Sequence, residues 1–380
     1  MRWTYNQCVK YVNEHGIKGT TIKVLREHCV TKDALRRRGA SWANDIPFDI
    51  RDEGARDLLK ALKAEFAKRR KQTARGETLT PFRMSMRRRK DGDTLTVHKK
   101  HWMHKRGEFA SIFGKGKLHS TEPIPASLDF DSRMLRDNIG NFYLCLPGLV
   151  EKLASEKVSS TFRVAALDPG VRTFQTVFSS SFDGEDEVVE WGAGDMSAIF
   201  RMCLAADRLQ SRISKSKRRN RHRKRRALLR HFARIRNRVN DIQRKLAKWL
   251  CSTHDLVIIP SFDTQNMVKK GSRRIHGNTA RQMCTWAHYR FRQHLASKAR
   301  EYPHCEIIVT SEAYTSKTCG SCGFLHKKLG ASKTFNCPSC HVILDRDVNG
   351  ARNVLLRCLS RKALADQVSA ASVKKPRRKE

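Results

Sequence analysis

Two cysteine pairs, Cys319-Gly-Ser-Cys322 and Cys337-Pro-Ser-Cys340, lie fourteen residues apart near the end of a 380-residue chain. Two such knuckles set four soft thiolates at the corners of a tetrahedron, which suits Zn²⁺. Gly323, directly after the first pair, permits the tight turn that a knuckle needs. No fifth ligand or bound water is required, so a single zinc here is structural. It fastens a small hairpin with too little core of its own. The other cysteines, such as Cys8, Cys29, Cys145 and Cys203, are scattered. That pattern fits buried, reduced thiols in an intracellular protein better than a disulfide framework.

Charge is the second constraint. The chain has 77 Lys and Arg against 37 Asp and Glu, a net charge of +40. Such a surface repels itself unless a polyanion neutralises it. Nucleic acid is the first candidate and an anionic membrane the weaker one. No apolar run reaches the roughly 18 residues of a membrane-spanning helix, and the opening MRWTYNQC lacks the apolar core of a secretion signal. No membrane partner is expected. Positive charge peaks at KSKRRNRHRKRR, residues 215–226, where nine of twelve positions are Lys or Arg. Lys215, Lys217, Arg218, Arg219, Arg221, Arg223, Lys224, Arg225 and Arg226 suit a phosphate backbone. A solvated linker is the alternative. The tail VKKPRRKE, residues 373–380, reads as a nuclear localisation signal or a plain solvated tail.

Periodicity divides the chain. YNQCVKYVNEHG and RDEGARDLLKALKAEFAKRR carry helical spacing, with Leu58, Leu59, Leu62 and Phe66 on one face. FRMSMRRR, DTLTVHKK, ASLDFDS and NFYLCLP alternate, as strands of a small β domain do. RVAALD, TFQTVFSS and EVVEWG predict a three-stranded meander. DLVII (255–259) and EIIVTS (306–311) supply two more strands, and helical segments between them complete an α/β pattern. Leu228, Leu229, Phe232, Ile235, Val239, Ile242, Leu246 and Leu250 follow the helical period, and the basic block before them suits a turn between antiparallel helices.

In so basic a chain, acids at strand ends stand out. Asp168 closes RVAALD before the turn at Pro169-Gly170, and Asp347 lies in LDRDVNGARN, where a helix is expected from about Asn349. An Asp in a first helical turn also serves plain N-terminal stabilisation. Two-metal phosphodiester hydrolysis needs three or four carboxylates around two Mg²⁺ roughly 4 Å apart. Asp263, Glu312 and, at the opposite edge of the sheet, Glu306 are the nearby acids.

AALDPGVRTF (165–174), YTSKTCGSCG (314–323), FNCPSC (335–340) and LDRDVNGARN (344–353) resemble the TnpB/OrfB transposon-encoded proteins and their eukaryotic relatives, the Fanzor proteins. These are RNA-guided DNA endonucleases related to the type V CRISPR effectors. The resemblance implies an α/β RNase H-like (RuvC) nuclease with an inserted zinc ribbon, a helical recognition region and a β-barrel wedge domain. It places the recognition region at 1–75, the wedge at 76–157, the nuclease at 158–312 and 346–362, the ribbon at 313–345, and a basic tail at 363–380. The first and last RuvC aspartates fall on Asp168 and Asp347, and the four knuckle cysteines match the zinc ligands. Bacterial members carry a Glu where Pro260 stands here; many Fanzor proteins use another, before the YTS motif, and Glu312 fits that place. Asp263 is the substitute. The resemblance implies DNA hydrolysis with two catalytic Mg²⁺, a guide RNA and target double-stranded DNA as partners, and one protein per guide RNA. It also implies a mobile-element origin in a eukaryote or eukaryotic virus, and residence in the nucleus. Family members usually open with a wedge strand before their Arg–Tyr–Asn segment. Here Met1 to Asn6 begins directly, so that strand is expected to be absent or supplied differently. A catalytically impaired RNA/DNA-binding relative, a ribosomal or chromatin zinc-ribbon protein, and a DDE-type transposase are the rivals.

Overall fold

The computed structural model describes residues 1–360 except 18, 80–81, 89–92, 104–108, 110–111, 113–118, 124, 157–160, 182–185, 274, 328 and 331. The basic tail lies outside the described residues. The chain divides into two units, with the break after Leu149.

In the first unit, Tyr5, Cys8, Val9 and Val12 form the buried face of α1 (Arg2–His15). They pack with Leu25 and Cys29 of α2 (Ile22–Cys29) and with Ala55, Leu58 and Leu62 of α4 (Phe48–Ala74). Thr21 and Thr31 cap α2 and α3 (Lys32–Arg37); each hydroxyl accepts from the backbone N–H three residues on, at 3.3 Å. Gly54 lets α1 and α4 touch, since a Cβ there would lie 2.9 Å from the carbonyl oxygen of Met1 and 3.0 Å from Thr4 Cβ. Asp52, on the same helix, is buried. It accepts from Arg26 Nε and Nη2, both at 2.7 Å, and from Arg56 Nε at 2.8 Å. Burial raises its carboxyl, but the two guanidinium groups prevail and hold it below the ordinary carboxylate range.

The small β domain contains an antiparallel meander of β1 (Asp93–Val97), β2 (Ser132–Arg136) and β3 (Phe142–Cys145). DTLTVHKK and NFYLCLP therefore form strands as expected. ASLDFDS does so only at its last residue, Ser132. FRMSMRRR joins no sheet among the described residues, for a physical reason. Backbone groups of its Met84 and Arg87 pair instead with two asparagines of α1, seven residues apart and so on one helical face. Asn13 exchanges two hydrogen bonds with Met84 (3.0 and 3.1 Å), and Asn6 exchanges two with Arg87 (3.0 and 2.8 Å). Arg87 also stacks over the Tyr5 ring at 4.0 Å.

The second unit holds a five-stranded mixed sheet in the order β6-β5-β4-β7-β8. β4 (Arg163–Pro169), β5 (Gln175–Ser181) and β6 (Asp186–Trp191) are antiparallel; β7 (Leu256–Pro260) and β8 (Glu306–Thr310) run parallel to β4. This is the RNase H-like arrangement. The two-residue period of β4 sends Ala165 and Leu167 to one face and Ala166 to the other. The first face is covered by α5 (Asp195–Ser214), α6 (Arg218–Thr253), α8 (Gly277–Trp286) and α9 (His288–Ala299); a short α7 (Thr264–Val268) precedes α8. Ala351, Val354, Leu355 and Cys358 of the last helix, α10 (Arg346–Leu359), cover the other. Of the stripe read on α6, Leu228, Ile235, Val239, Ile242, Leu246 and Leu250 are buried, while Phe232 is exposed. Cys8, Cys29 and Cys203 are buried as expected, and Cys145 is exposed. No helix among the described residues is long and apolar enough to cross a membrane.

Replacing Asp52 by Ala strands two guanidinium groups, each about a third or more exposed. Stability is expected to fall by about 2 kcal/mol, between the limits for surface and buried pairs. The Asp52 carboxyl is lowered in the folded state. Its contribution is therefore complete above the unfolded value near pH ~4 and is lost as pH falls through the folded value. Urea titrations from neutral to acid pH should show a shallower acid limb for the variant.

Candidate active site

β4, β7 and β8 are parallel, so their C-terminal ends share one edge of the sheet. Asp168 is the penultimate residue of β4. Pro260 of β7 pairs with Thr310 of β8, and Ser261 N–H donates to the Thr310 carbonyl at 2.9 Å. Asp263 and Glu312 therefore follow side by side, just past that edge. Asp347 arrives from the other direction, in the first turn of α10. The capping role is taken by Asp345, which accepts from Asp347 N–H at 2.8 Å and Val348 N–H at 3.1 Å.

The three acids interact through space. Burial, then Asp347, then Glu312 push the Asp168 carboxyl up to about 8, against the pull of Arg346. Burial and Asp263 raise Glu312 as well. Asp263 itself caps α7 and accepts from both the backbone and side chain of Asn266. Gly350 closes the arrangement. A Cβ there would lie 2.8 Å from Asp168 Oδ2 and 3.1 Å from its Cγ, so only glycine lets α10 sit against the carboxylate. Asp168, Glu312 and Asp347 are half-buried hard oxygen donors, the ligand type that divalent cations take, with Arg346 as a counter-charge to Asp168. The carboxylates are more widely spaced than the cysteine ligands, however. Among the described residues, only the four cysteines form a group of three or more such side chains whose ligand atoms all lie within 4.8 Å.

Those cysteines are Cys319, Cys322, Cys337 and Cys340. Cys319 Sγ lies 3.7 Å from Cys340 Sγ, and Cys322 Sγ 3.6 Å from Cys337 Sγ. The N–H of Gly323 bonds to the Cys319 carbonyl at 2.9 Å, with Gly323 at φ 76°, as its place after the knuckle predicts. At the second knuckle the same turn is made by His341, at φ 57°. β9 (Thr334–Asn336) and β10 (Ile343–Asp345) pair, with buried Phe335 of β9 opposite Leu344. The cluster can hold one structural metal ion of the zinc type.

A ladder on α10 joins the ribbon to the acids, and sequence reasoning missed it. Asn349, Asn353 and Arg357 are spaced by four and so lie on one face. Asn349 accepts from Gly320 N–H at 2.8 Å and donates to the Thr318 carbonyl at 2.8 Å. Asn353 donates to the carbonyls of Thr315 (2.8 Å) and Thr318 (2.6 Å), and Arg357 to that of Ala313 (2.5 Å). The backbone directly after Glu312 is thus tied to the helix that carries Asp347. Its signal in the sequence is the N-G-A-R-N spacing of LDRDVNGARN.

The basic block divides in two. Lys215 and Lys217 lie in the turn between α5 and α6, and the rest begins α6. Arg221 donates to the Ser216 carbonyl at 3.0 Å and Lys224 to Ser216 Oγ at 2.5 Å, so both cap the turn. Lys215, Lys217, Arg219, Arg223, Arg225 and Arg226 are exposed, and the side chain of Arg218 lies outside the described part. Glu306, at the start of β8, lies at the opposite edge from the acids.

Two family models match the chain. One described as "Probable transposase" (OrfB_IS605) covers residues 148–271, and one described as "Cas12f1-like, TNB domain" covers 288–354. The chain is 29% identical to the putative transposase A625R of Paramecium bursaria Chlorella virus 1, over 95% of this chain and 82% of that protein. It is 27% identical to the TnpB-like protein L79 of Acanthamoeba polyphaga mimivirus, over 65% of this chain and 48% of that protein. It thus spans about half the length of this mimivirus relative. A putative RNA-guided DNA endonuclease of Streptomyces pristinaespiralis is 32% identical over 39% of this chain and 36% of that protein. Among solved structures, the CRISPR-Cas12f ternary complex aligns over 93% of this chain and 79% of that one, at 15% identity and a TM-score of 0.34. The matches are thus to OrfB and TnpB-like proteins and, over residues 288–354, to a Cas12f1-like domain.

Elemental analysis of the purified chain is expected to find one zinc, lost in a Cys337→Ser variant with a lowered melting temperature. Asn353→Ala leaves the buried Thr315 carbonyl without this donor and the half-buried Thr318 carbonyl with Asn349 alone, and should cost about 2 kcal/mol while zinc content stays at one. That outcome separates the ladder from the metal site.

Proposed function

We propose that this chain is a Fanzor-like, RNA-guided DNA endonuclease of a mobile element. The observation that carries this is the convergence of Asp168, Glu312 and Asp347 at one sheet edge, beside a four-cysteine ribbon, in a chain of net charge +40. Further support comes from relatives named as TnpB-like and as RNA-guided DNA endonucleases. The proposed domain roles are recognition for 1–75, wedge for 76–157, nuclease for 158–312 and 346–362, and zinc ribbon for 313–345. One chain would bind one guide RNA and act on double-stranded DNA in a eukaryotic nucleus. The exposed arginines and lysines of 215–226 would neutralise backbone phosphates.

Asp168, Glu312 and Asp347 would hold two Mg²⁺, which when bound supply an activated water and stabilise the departing oxygen. The chain's own contribution is positioning. The sheet fixes Asp168, the ladder fixes the segment that leads from Glu312, and Asp345 ties down the Asp347 N–H so that its carboxylate remains available. Arg346, as the cation that already lowers Asp168, would offset charge at a bound phosphodiester's edge of the site. Glu312 rather than Asp263 completes the set, because Asp263 is engaged by Asn266.

Co-expression with the RNA of its own locus, followed by incubation with a plasmid library carrying the matched target beside randomised flanks, tests this. Cuts should require both the guide and Mg²⁺, and should vanish in Asp168→Ala and Glu312→Ala but persist in Asp263→Ala. Gly350→Ala, which displaces the Asp168 carboxylate, should slow cutting about 100-fold. Guide-RNA binding without cutting under any of these conditions would identify the impaired binder instead.

A further inference from the structure

Buried residues on α4 stop at Leu62, yet the helix continues to Ala74. Those last twelve residues extend it by about 18 Å. They carry Lys63, Lys68, Arg69, Arg70 and Lys71 against the single acid Glu65. Phe66, Arg69, Arg70 and Thr73 follow the i, i+3, i+4, i+7 spacing that normally marks a face turned to a core. Here the same four residues line an open depression of about 330 Å³. Phe66 is 44% exposed. Phe82 supports it from the side, with ring centroids 6.2 Å apart, and Arg69 lies over the Phe82 ring at 5.0 Å. Glu65 is within 3.6 Å of Lys68 and Arg69, whereas Arg70 is exposed and makes no ion pair among the described residues.

We infer that this stripe is a stacking platform for an unpaired nucleobase, with Arg70 on the adjoining phosphate. Stability does not require the large apolar ring of Phe66 to stand in the open. A protein partner is a poor fit, since interface cores are depleted of charge and a stable interface buries roughly 800 Å² per partner. One aromatic ring flanked by guanidinium groups matches instead a flat π-face joined to an anion. A paired base within a duplex has no free face to offer, so the ligand is single-stranded. The site deepens the proposed guide-RNA function and rests on it only for the source of the strand.

The test is fluorescence anisotropy of the full chain in EDTA, so that cutting plays no part. The probes are an unstructured 12-nucleotide RNA, the same RNA with abasic sites, the DNA counterpart of the strand, and a 12-base-pair RNA duplex. Phe66→Ala is expected to weaken binding of the base-bearing strand about 5- to 100-fold, with the abasic strand and duplex unchanged. Phe66→Tyr should retain affinity. Arg70→Gln should reduce the salt dependence by about one phosphate contact. Loss on RNA alone assigns the site to the guide, and loss on both strands assigns it to either nucleic acid; both support the platform. An Ala variant that binds all four probes like the wild type gives the stripe to a protein partner and overturns the inference, as does equal weakening on every probe. A matched melting temperature, expected for so exposed a ring, excludes unfolding. EDTA removes the metal ions that the nuclease proposal requires, so failure of the nuclease proposal and failure of the platform are read separately.

Discussion

The face of α10 that carries Asn349, Asn353 and Arg357 sets the geometry on which the candidate site depends. Each of the three bonds to backbone of the segment between Ala313 and Gly320. A loop leaving a parallel strand would otherwise place Glu312 loosely. Tied at four-residue intervals to one helix, it inherits the rigidity of that helix. Asp347 and Gly350 belong to the same helix, and the opposite stripe of Ala351, Val354, Leu355 and Cys358 is packed into the sheet that carries Asp168. One element therefore fixes all three carboxylates relative to one another. Burial first, and then the neighbouring Asp347 and Glu312, keep the Asp168 carboxyl raised.

The ribbon matters to this arrangement because of where it interrupts the chain. It leaves after Glu312 and returns at Asp345, two residues before Asp347. A small hairpin of this length has little core, chiefly Phe335 with two of the cysteines. Without a metal its ends would be poorly fixed. Gly320, within the first knuckle, receives Asn349 so closely that a Cβ would lie 2.9 Å from the amide oxygen. The four-cysteine cluster and the acid-bearing edge are thus joined through one asparagine.

Much of this was legible beforehand, and the reasons are specific. The strands of the nuclease sheet announce themselves by short apolar runs, and their edge by Asp168 and the Pro169-Gly170 turn. The knuckles need only spacing. FRMSMRRR misled because alternation reports an extended backbone without naming its partner. Here the partner is a pair of helical asparagines, Asn6 and Asn13, rather than a strand. The ladder stayed hidden because Asn and Arg on a helix usually face water, and only the fold brings carbonyls opposite them. Asp345 was overlooked because its neighbour Asp347 drew both possible roles, capping and ligation; the structure gives the cap to Asp345.

Charge allocation follows the same division between local and tertiary demands. A run of nine cations in twelve residues invites a single assignment to nucleic acid. Yet Arg221 and Lys224 turn inward to close the helical hairpin at Ser216, leaving the exposed remainder outside. At the acid edge the balance inverts. In a chain of net charge +40, the cation that lowers Asp168 is Arg346, and burial and two neighbouring acids outweigh it. Exposed positive charge is left in the block at 215–226, whereas at the sheet edge a single arginine is set against a group of acids. Adding lysines near Asp168 would relieve repulsion and stabilise the fold, at the expense of the donor set. The Asp168 carboxyl stays raised because one arginine does not offset burial and two acids, a pattern common where a site is built for function rather than for stability.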